Sequence, residues 1–269
     1  MREKDNILLI DADSLIYYEA FKETLIEALE GIDERMERIF KETGSNKYIA
    51  FLTPSGCFRY DRAYTKDYKG SRKDKKKAQW FNAVKAYLID KYGAIYIPKL
   101  EADDCVAWLS NNNLFHTIVC SPDKDVLKQC PGRHYNYQME SKGTYKSKGF
   151  IETSKAEAKN FLFTQLLMGD STDGISGIEG VGPAKATRIL ECEIIADGTM
   201  KPEEVILSNY TSKYGLVDGI SRFAEAFKLI YLLKTDEDML REIGYIPEIP
   251  EILEYKKDKE EDVEISSWD

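Results

Sequence analysis

Along its first half the chain alternates short apolar runs with longer amphipathic stretches, and along its second half the apolar positions recur at helical spacing. "NILLIDADS" reads as a buried strand, an apolar run that ends in acids and a helix-capping serine. Leu25, Leu29, Ile32, Met36 and Ile39 follow at spacings of three and four, which predicts an amphipathic helix over 24–42. "KYIAFLT" predicts a second strand, closed by Pro54, Ser55 and Gly56. "AQWFNAVKAYLIDKY" is a helix, "AIYIP" a short strand, and "EADDCVAWLSNN" the start of another helix. "HTIVCS" is a further strand, "DVLK" a helical turn, and "HYNYQ" with "GTYKSK" a small hairpin or sheet edge. From about residue 154 the pattern turns all helical, with segments near 154–169, 183–191, 201–214 and 218–233. Strands alternating with helices predict an α/β body over 1–153, with a mainly parallel central sheet flanked by helices. A helical region over 154–240 packs on it, and 241–269 form an acidic tail.

Composition narrows this picture only a little. Hydrophobic residues make up 43% of the 269 residues, an ordinary globular proportion. No apolar run approaches the roughly 20 residues of a membrane span, and the N-terminus does not read as a signal peptide. A soluble, cytoplasmic monomer without a membrane partner is the expectation. The five cysteines form no Cys-x-x-Cys pair, so neither a disulfide framework nor a zinc site is expected. Charge changes more. The net charge of −9 argues against a polyanion partner only if it is evenly spread. Residues 236–269 carry 13 acids and 4 bases, whereas residues 59–77 carry nine bases and three acids. The basic stretch lacks a hydrophobic period, so a surface loop or a partly ordered helical arch, at about 58–79, is expected there.

Four groups of acids fall where strands or helices end: Asp11 with Asp13, Glu101 with Asp103 and Asp104, Asp123 with Asp125, and Asp170 with Asp173. Any one of them could be capping or turn chemistry. Three together converge on the carboxyl edge of one sheet, where sites form in open α/β folds, and the fourth can fold back over it. So many carboxylates raise one another's pKa and call for cations. With hard oxygen donors and only His116 and His134 as imidazoles, both read as surface or packing residues, the donor set selects Mg²⁺ or Mn²⁺. Two such ions best serve phosphodiester hydrolysis.

Two stretches could hold the substrate of such a site. "YTKDYKGSRKDKKKAQW" interleaves tyrosines with lysines and arginines, a pattern suited to stacked bases and phosphates of a single strand. "GIEGVGPAKATRIL", over about 175–191, places Gly180 and Gly182 before a helix that carries Lys185 one turn in. Glycines allow close backbone approach and the helix start offers free N–H groups, so this resembles a helix-hairpin-helix element gripping duplex backbone.

With these residues in view, the chain resembles the 5′→3′ exonuclease and flap-endonuclease family, most of all its phage-encoded members. "LLIDADSL", "DYKGSR", "EADD", "CSPDKD" and "GDSTDGISGIEGVGPAKA" occur in the family's order across residues 8–188. The resemblance implies a PIN-like 5′-nuclease fold with two Mg²⁺ or Mn²⁺ ions. Asp11, Glu101, Asp103 and Asp104 would form one metal site, and Asp123, Asp125, Asp170 and Asp173 the second. Lys69, Arg72, Asp123 and Asp170 would be catalytic. Tyr68, Lys69, Arg72, Gly180, Gly182 and Lys185 would contact DNA, with Tyr68 stacking beside a base and a monovalent cation at the hairpin. The substrate would be DNA with a 5′ end or flap, or an RNA–DNA hybrid, and replication proteins the partners. Two departures stand out. "FLTPSGCFRY" lacks the acid that many members carry at the end of the second strand, and Tyr18 stands where many carry a basic residue. A 5′-end-binding protein with a weakened first metal site, or an acid-rich α/β ribonuclease, are the alternatives.

Overall fold

The structure, a computed structural model, describes residues 6–72, 77–112, 117–138, 149–196 and 198–248. A five-stranded sheet lies at its centre in the order β2-β1-β3-β4-β5. These strands are β1 (Ile7–Asp11), β2 (Tyr48–Phe51), β3 (Thr117–Cys120), β4 (Gly132–Asn136) and β5 (Gly149–Thr153). The first four run parallel and β5 closes the edge antiparallel to β4. Every residue of β1 is buried, because β1 is paired on both sides and covered on both faces, which is why it reads as an unbroken apolar run. From β1 the chain crosses to β2 on one side and later returns to β3 on the other. The carboxyl ends of β1 and β3 therefore flank a topological switch point, the place where such sheets form sites.

Helices α1 (Asp13–Glu19), α2 (Leu25–Thr43), α3 (Phe81–Tyr92), α4 (Ala102–Asn112) and α5 (Lys124–Gln129) connect these strands. Thr24 and Glu27 form a reciprocal capping box that starts α2, and Gly44 ends it in the left-handed conformation. Its buried stripe of Ala28, Ile32, Met36 and Ile39 matches the periodicity in the sequence. One apolar cluster lies between α1, α2, α3 and the sheet, and a second gathers α4 around Trp108. The Trp108 indole N–H donates to Asp236 at 2.8 Å, fastening α4 to the C-terminal helix α11 (Asp236–Glu242). The segment 94–98 is not a full strand. Ile95 pairs with β2 through two hydrogen bonds, Leu52 N–H to Ile95 O and Ile95 N–H to Ala50 O, but Pro98 and the left-handed Lys99 stop the ladder. "GTYKSK" lies outside the described residues, and the antiparallel partner of "HYNYQ" is Gly149–Thr153 instead.

The later helices are α6 (Lys155–Met168), α7 (Pro183–Leu190), α8 (Glu193–Ala196), α9 (Pro202–Tyr214) and α10 (Leu216–Ile230). Between α6 and α7 the chain makes a two-stranded turn from β6 (Gly169–Asp170) and β7 (Ile175–Ser176). A third apolar cluster joins α6, α7, α9 and α10, and it includes Cys57 and Tyr68 from the basic segment. That segment is thus rooted in the helical core. Its described part contains two short 3-10 turns, Phe58–Asp61 and Gly70–Arg72, joined by loop. The four buried cysteines and the half-buried Cys192 are all free thiols. His134 is buried and donates from Nε2 to the Cys130 carbonyl, a packing role, while His116 lies outside the described residues. None of the described helices is long and apolar enough to cross a membrane.

Candidate metal centre and nucleic-acid interface

At the carboxyl ends of β1 and β3, Asp11 is buried and accepts a hydrogen bond from Ser121 Oγ at 2.8 Å. Burial first, then the nearby Asp13 and Asp123 carboxylates, push the Asp11 carboxyl up to about 7. Asp123 caps α5, accepting from the Asp125 N–H at 2.7 Å, so the capping reading of "SPDKD" holds together with its place at the sheet edge. Asp13 reaches across to β2, where Oδ1 accepts from the Thr53 N–H at 3.0 Å. Thr53 Oγ1 in turn accepts from the Ala102 N–H. Asp13 therefore supplies a carboxylate beside Thr53, where "FLTPSG" has none of its own.

The "EADD" acids open α4 and face different surroundings. Glu101 is buried. Its Oε2 accepts from Arg59 Nη1 at 3.0 Å and from Tyr68 Oη at 2.7 Å, and its Oε1 accepts from Lys69 Nζ. Burial alone would raise this carboxyl, but Arg59, Lys69 and the Tyr68 hydroxyl bring it down to about 2. Asp104 is fully buried, 0% exposed, and takes a two-pronged ion pair from Arg59. Asp103 is only half-buried, and burial together with repulsion from Asp104 and Glu101 holds its carboxyl well above the usual range. Tyr68, expected to stack on a base, is instead 4% exposed, its hydroxyl spent on Glu101 and its ring edge-on to Tyr60. In this structure it steadies a carboxylate.

A third group faces Asp103 across a cleft. Asp103, Asp125, Asp170 and Asp173 line it together with Arg59 and Tyr68. Gln165 on α6 donates to Asp125 Oδ1 at 2.7 Å and is itself held by Gln129. Burial, then Asp123, raises the Asp125 carboxyl to about 6. Asp170 accepts from the Thr172 N–H at 2.8 Å and from Lys124 Nζ at 3.1 Å, and these bonds outweigh its burial and lower it. Lys69 adopts φ 52, unusual for a residue with a side chain, and is held there by its N–H bond to the Asp173 carbonyl. Its ammonium then lies between Glu101 and Asp173. Gly174, at φ +76, passes so close to Asp67 O that a Cβ would sit 2.9 Å away, so the basic segment and the acid loop are fitted to each other.

This donor set suits a hard divalent cation. It is made of carboxylate oxygens, Glu101, Asp103 and Asp104 bring oxygens within 4.8 Å of one another, and burial together with neighbouring carboxylates raises Asp11, Asp103 and Asp125. Around the cleft, Glu225 on α10 accepts from the Tyr64 and Thr65 N–H groups at 2.6 and 2.8 Å, clamping the basic loop. Lys66 and Lys77 are exposed; Arg72 closes a 3-10 turn, and its side chain lies outside the described part, as do residues 73–76. Beyond β7, Gly180 adopts φ +77, Gly182 precedes α7 without a side-chain cap, and Lys185 is exposed one turn in. Sequence reasoning missed Arg59, Lys124, Gln165 and Glu225 as parts of the site. Arg59 stands in the aromatic-arginine pair of "CFRY" and Lys124 inside "CSPDKD", but the site partners Glu101, Asp104 and Asp170 that reveal their roles are distant in the chain, and nothing local marks Gln165 or Glu225.

The sequence is 26% identical over 206 residues to the 5′-3′ exonuclease of Mycoplasmopsis pulmonis, covering 70% of this chain and 67% of that one. It is 26% identical over 174 residues to the flap endonuclease Xni of Shewanella piezotolerans, covering 61% of this chain and 67% of that protein. The chain is thus similar in sequence to 5′ nucleases. It is also 29% identical over 227 residues to DNA polymerase I of Treponema pallidum, 74% of this chain but only 22% of the polymerase. No protein-family model matches. Among solved structures, the T5 D15 protein co-crystallized with metal ions superposes with a TM-score of 0.60 at 16% identity, covering 93% of this chain and 96% of that one. The phage T5 flap endonuclease in a complex with DNA and metal ions does so with 0.54 at 15%, covering 84% and 94%. The sheet, the helical layers and their order are therefore those of the 5′-nuclease fold.

Proposed function

We propose that this chain is a metal-dependent 5′→3′ exonuclease and flap endonuclease that hydrolyses phosphodiester bonds near the 5′ ends of duplex or flapped DNA. The observation that carries the reading is the cleft where Asp103, Asp125, Asp170 and Asp173 from three separate segments meet under a rooted basic loop. Mg²⁺ or Mn²⁺ would be held by these acids with Asp11, Glu101 and Asp123. Bound there, such ions acidify an attacking water and offset charge on the leaving oxygen. The chain's own residues do the rest. Lys69 brings a fixed cation to the cleft where charge develops on a phosphate. Gln165 and Ser121 orient Asp125 and Asp11. Lys185 and the glycine turn that leads into α7 would hold duplex backbone in the manner of a helix-hairpin-helix element, without reading sequence; Pro183 carries no N–H and the Lys185 and Ala186 N–H groups already donate to the Gly182 carbonyl. Lys66 and the lysines that follow Arg72 would guide the 5′ strand.

The test offers 5′-labelled flap, nicked, blunt and RNA-primed duplexes to the protein with Mg²⁺, Mn²⁺ or EDTA. Short labelled products in either metal, absent in EDTA, are expected. Tight 5′-end binding without products would support the weakened binder instead, and cutting confined to RNA the ribonuclease reading.

A further inference from the structure

We infer that Asp104 is not a cation ligand, and that Arg59 and Asp104 together form a positioning device for Glu101. This rests on the nuclease reading above and concerns how its carboxylates divide their work. Arg59 is 1% exposed and spends all its donors. Nε donates to the Leu229 carbonyl at 3.0 Å, Nη1 to Glu101 and Asp104, and Nη2 to Asp104 and the Tyr231 carbonyl at 2.8 and 2.9 Å. One guanidinium thus joins the foot of the basic segment, two acids at the start of α4 and the carboxyl end of α10.

Proximity would admit Asp104 to a cation site, since its oxygens lie near those of Glu101 and Asp103. Hydrogen bonding argues the other way. Oδ1 accepts from Arg59 Nη2 and from the Leu233 N–H at 3.1 Å, and Oδ2 accepts from Arg59 Nη1. A divalent cation at that carboxylate would meet the guanidinium charge directly, in a place closed to water. Asp103 borders the cleft and Asp104 does not. For Glu101 the consequence is directional. Arg59 and Tyr68 occupy Oε2, and Oε1 is left to the Lys69 ammonium, which also lies 3.8 Å from Asp173. Asp104 fixes Arg59, Arg59 fixes Glu101, and the same guanidinium ties that orientation to the end of the helical region.

The experiment compares full-length wild type with Asp103→Asn, Asp104→Asn and Arg59→Lys. Calorimetric titration gives Mn²⁺ stoichiometry and affinity, and single-turnover cleavage of a 5′-labelled flap at saturating Mn²⁺ gives the rate. Asp104→Asn is expected to keep both Mn²⁺ parameters within about threefold while its rate drops by about tenfold or more, and Arg59→Lys, which keeps the charge but loses the fork, should do the same. Asp103→Asn is expected to weaken Mn²⁺ binding by about tenfold or more. Loss of a Mn²⁺ ion in Asp104→Asn would make Asp104 a ligand and overturn the inference. So would a lowered unfolding midpoint with an unchanged rate, which would leave the pair a purely structural tie. Should Asp104→Asn fail to fold, Arg59→Lys decides by the same criteria. A wild type that neither binds Mn²⁺ nor cuts would overturn the nuclease reading itself, whereas a cutting wild type with an indifferent Arg59→Lys overturns only the positioning device.

Discussion

Glu101 and Asp103 stand two residues apart at the start of α4, the first just before it and the second in its first turn, yet the protein treats their charges in opposite ways. Glu101 sits among Arg59, Lys69 and Tyr68 and is held at about 2, while Asp103, on the cleft, is pushed well above the usual range by burial and then by Asp104 and Glu101. Burial opposes ionisation in both. The difference is whether the chain brings its own cation. Glu101 and Asp104 form an inner group neutralised by side chains of the basic segment; Asp11, Asp103 and Asp125 form an outer group, raised by burial and then by the carboxylates beside each of them. Within this acid cluster arginine and lysine fix some carboxylates in place, Glu101 among them, while others gather at the cleft with less compensation.

The cleft acids offer the largest effect. Asp125→Asn and Asp170→Asn are expected to cut flap cleavage by about a thousandfold or more, some 4 kcal/mol of barrier, with DNA affinity little changed. Retained turnover in either would remove that residue from the chemistry. On the inner side, Arg59→Ala leaves the fully buried Asp104 unpaired, and denaturant unfolding should show a loss of about 3–5 kcal/mol. Asp103→Asn should do the reverse in metal-free protein, raising stability, because asparagine keeps the acceptor for the Asp104 N–H and removes a repelled charge. Equal losses in the two variants would erase the distinction between the groups.

Acidity separates them again, at smaller scale. Asp11 and Asp125 titrate near 7 and 6 in the fold against 3.8 when unperturbed, so the metal-free native state holds more protons than the unfolded chain between about pH 4 and 7. Their contribution is full below that window and is lost as pH rises through it. Glu101, depressed to about 2 from 4.5, works the other way, and its contribution is lost as pH falls below about 4.5. Denaturation in EDTA should show stability falling from pH 5 to 7, and a flat profile would contradict the raised values. The smallest effect lies outside both groups. Lys185→Ala should weaken duplex binding severalfold for all sequences and reduce the salt dependence by about one ion.

Much of this was legible in the chain. Acids at "LLIDADS", "EADD" and "SPDKD" mark strand and helix ends, and the parallel sheet brings Asp11 and Asp123 to one edge. Helices from residue 154 onward fall near their expected bounds, since capping by Ser154 and the glycines at 182 and 215 are local signals. The division of labour among the acids was not legible. Arg59 bonds carbonyls at 229 and 231, and Glu225 clamps residues 64 and 65, contacts with no periodic or motif signature. Tyr68 shows the same limit, for an aromatic between lysines reads as a base platform until its burial against Glu101 is seen. Asp13 is the converse, since the fold carries it to Thr53 and so returns a carboxylate to the end of β2.

Thermal unfolding at pH 7 with and without Mn²⁺, run on wild type, Asp125→Asn and Asp104→Asn, tests the division most directly. The expected result is a midpoint raised by several degrees in wild type, an increment largely lost in Asp125→Asn and kept in Asp104→Asn from a lower baseline. No increment in wild type, or an increment lost equally in both variants, would contradict the account.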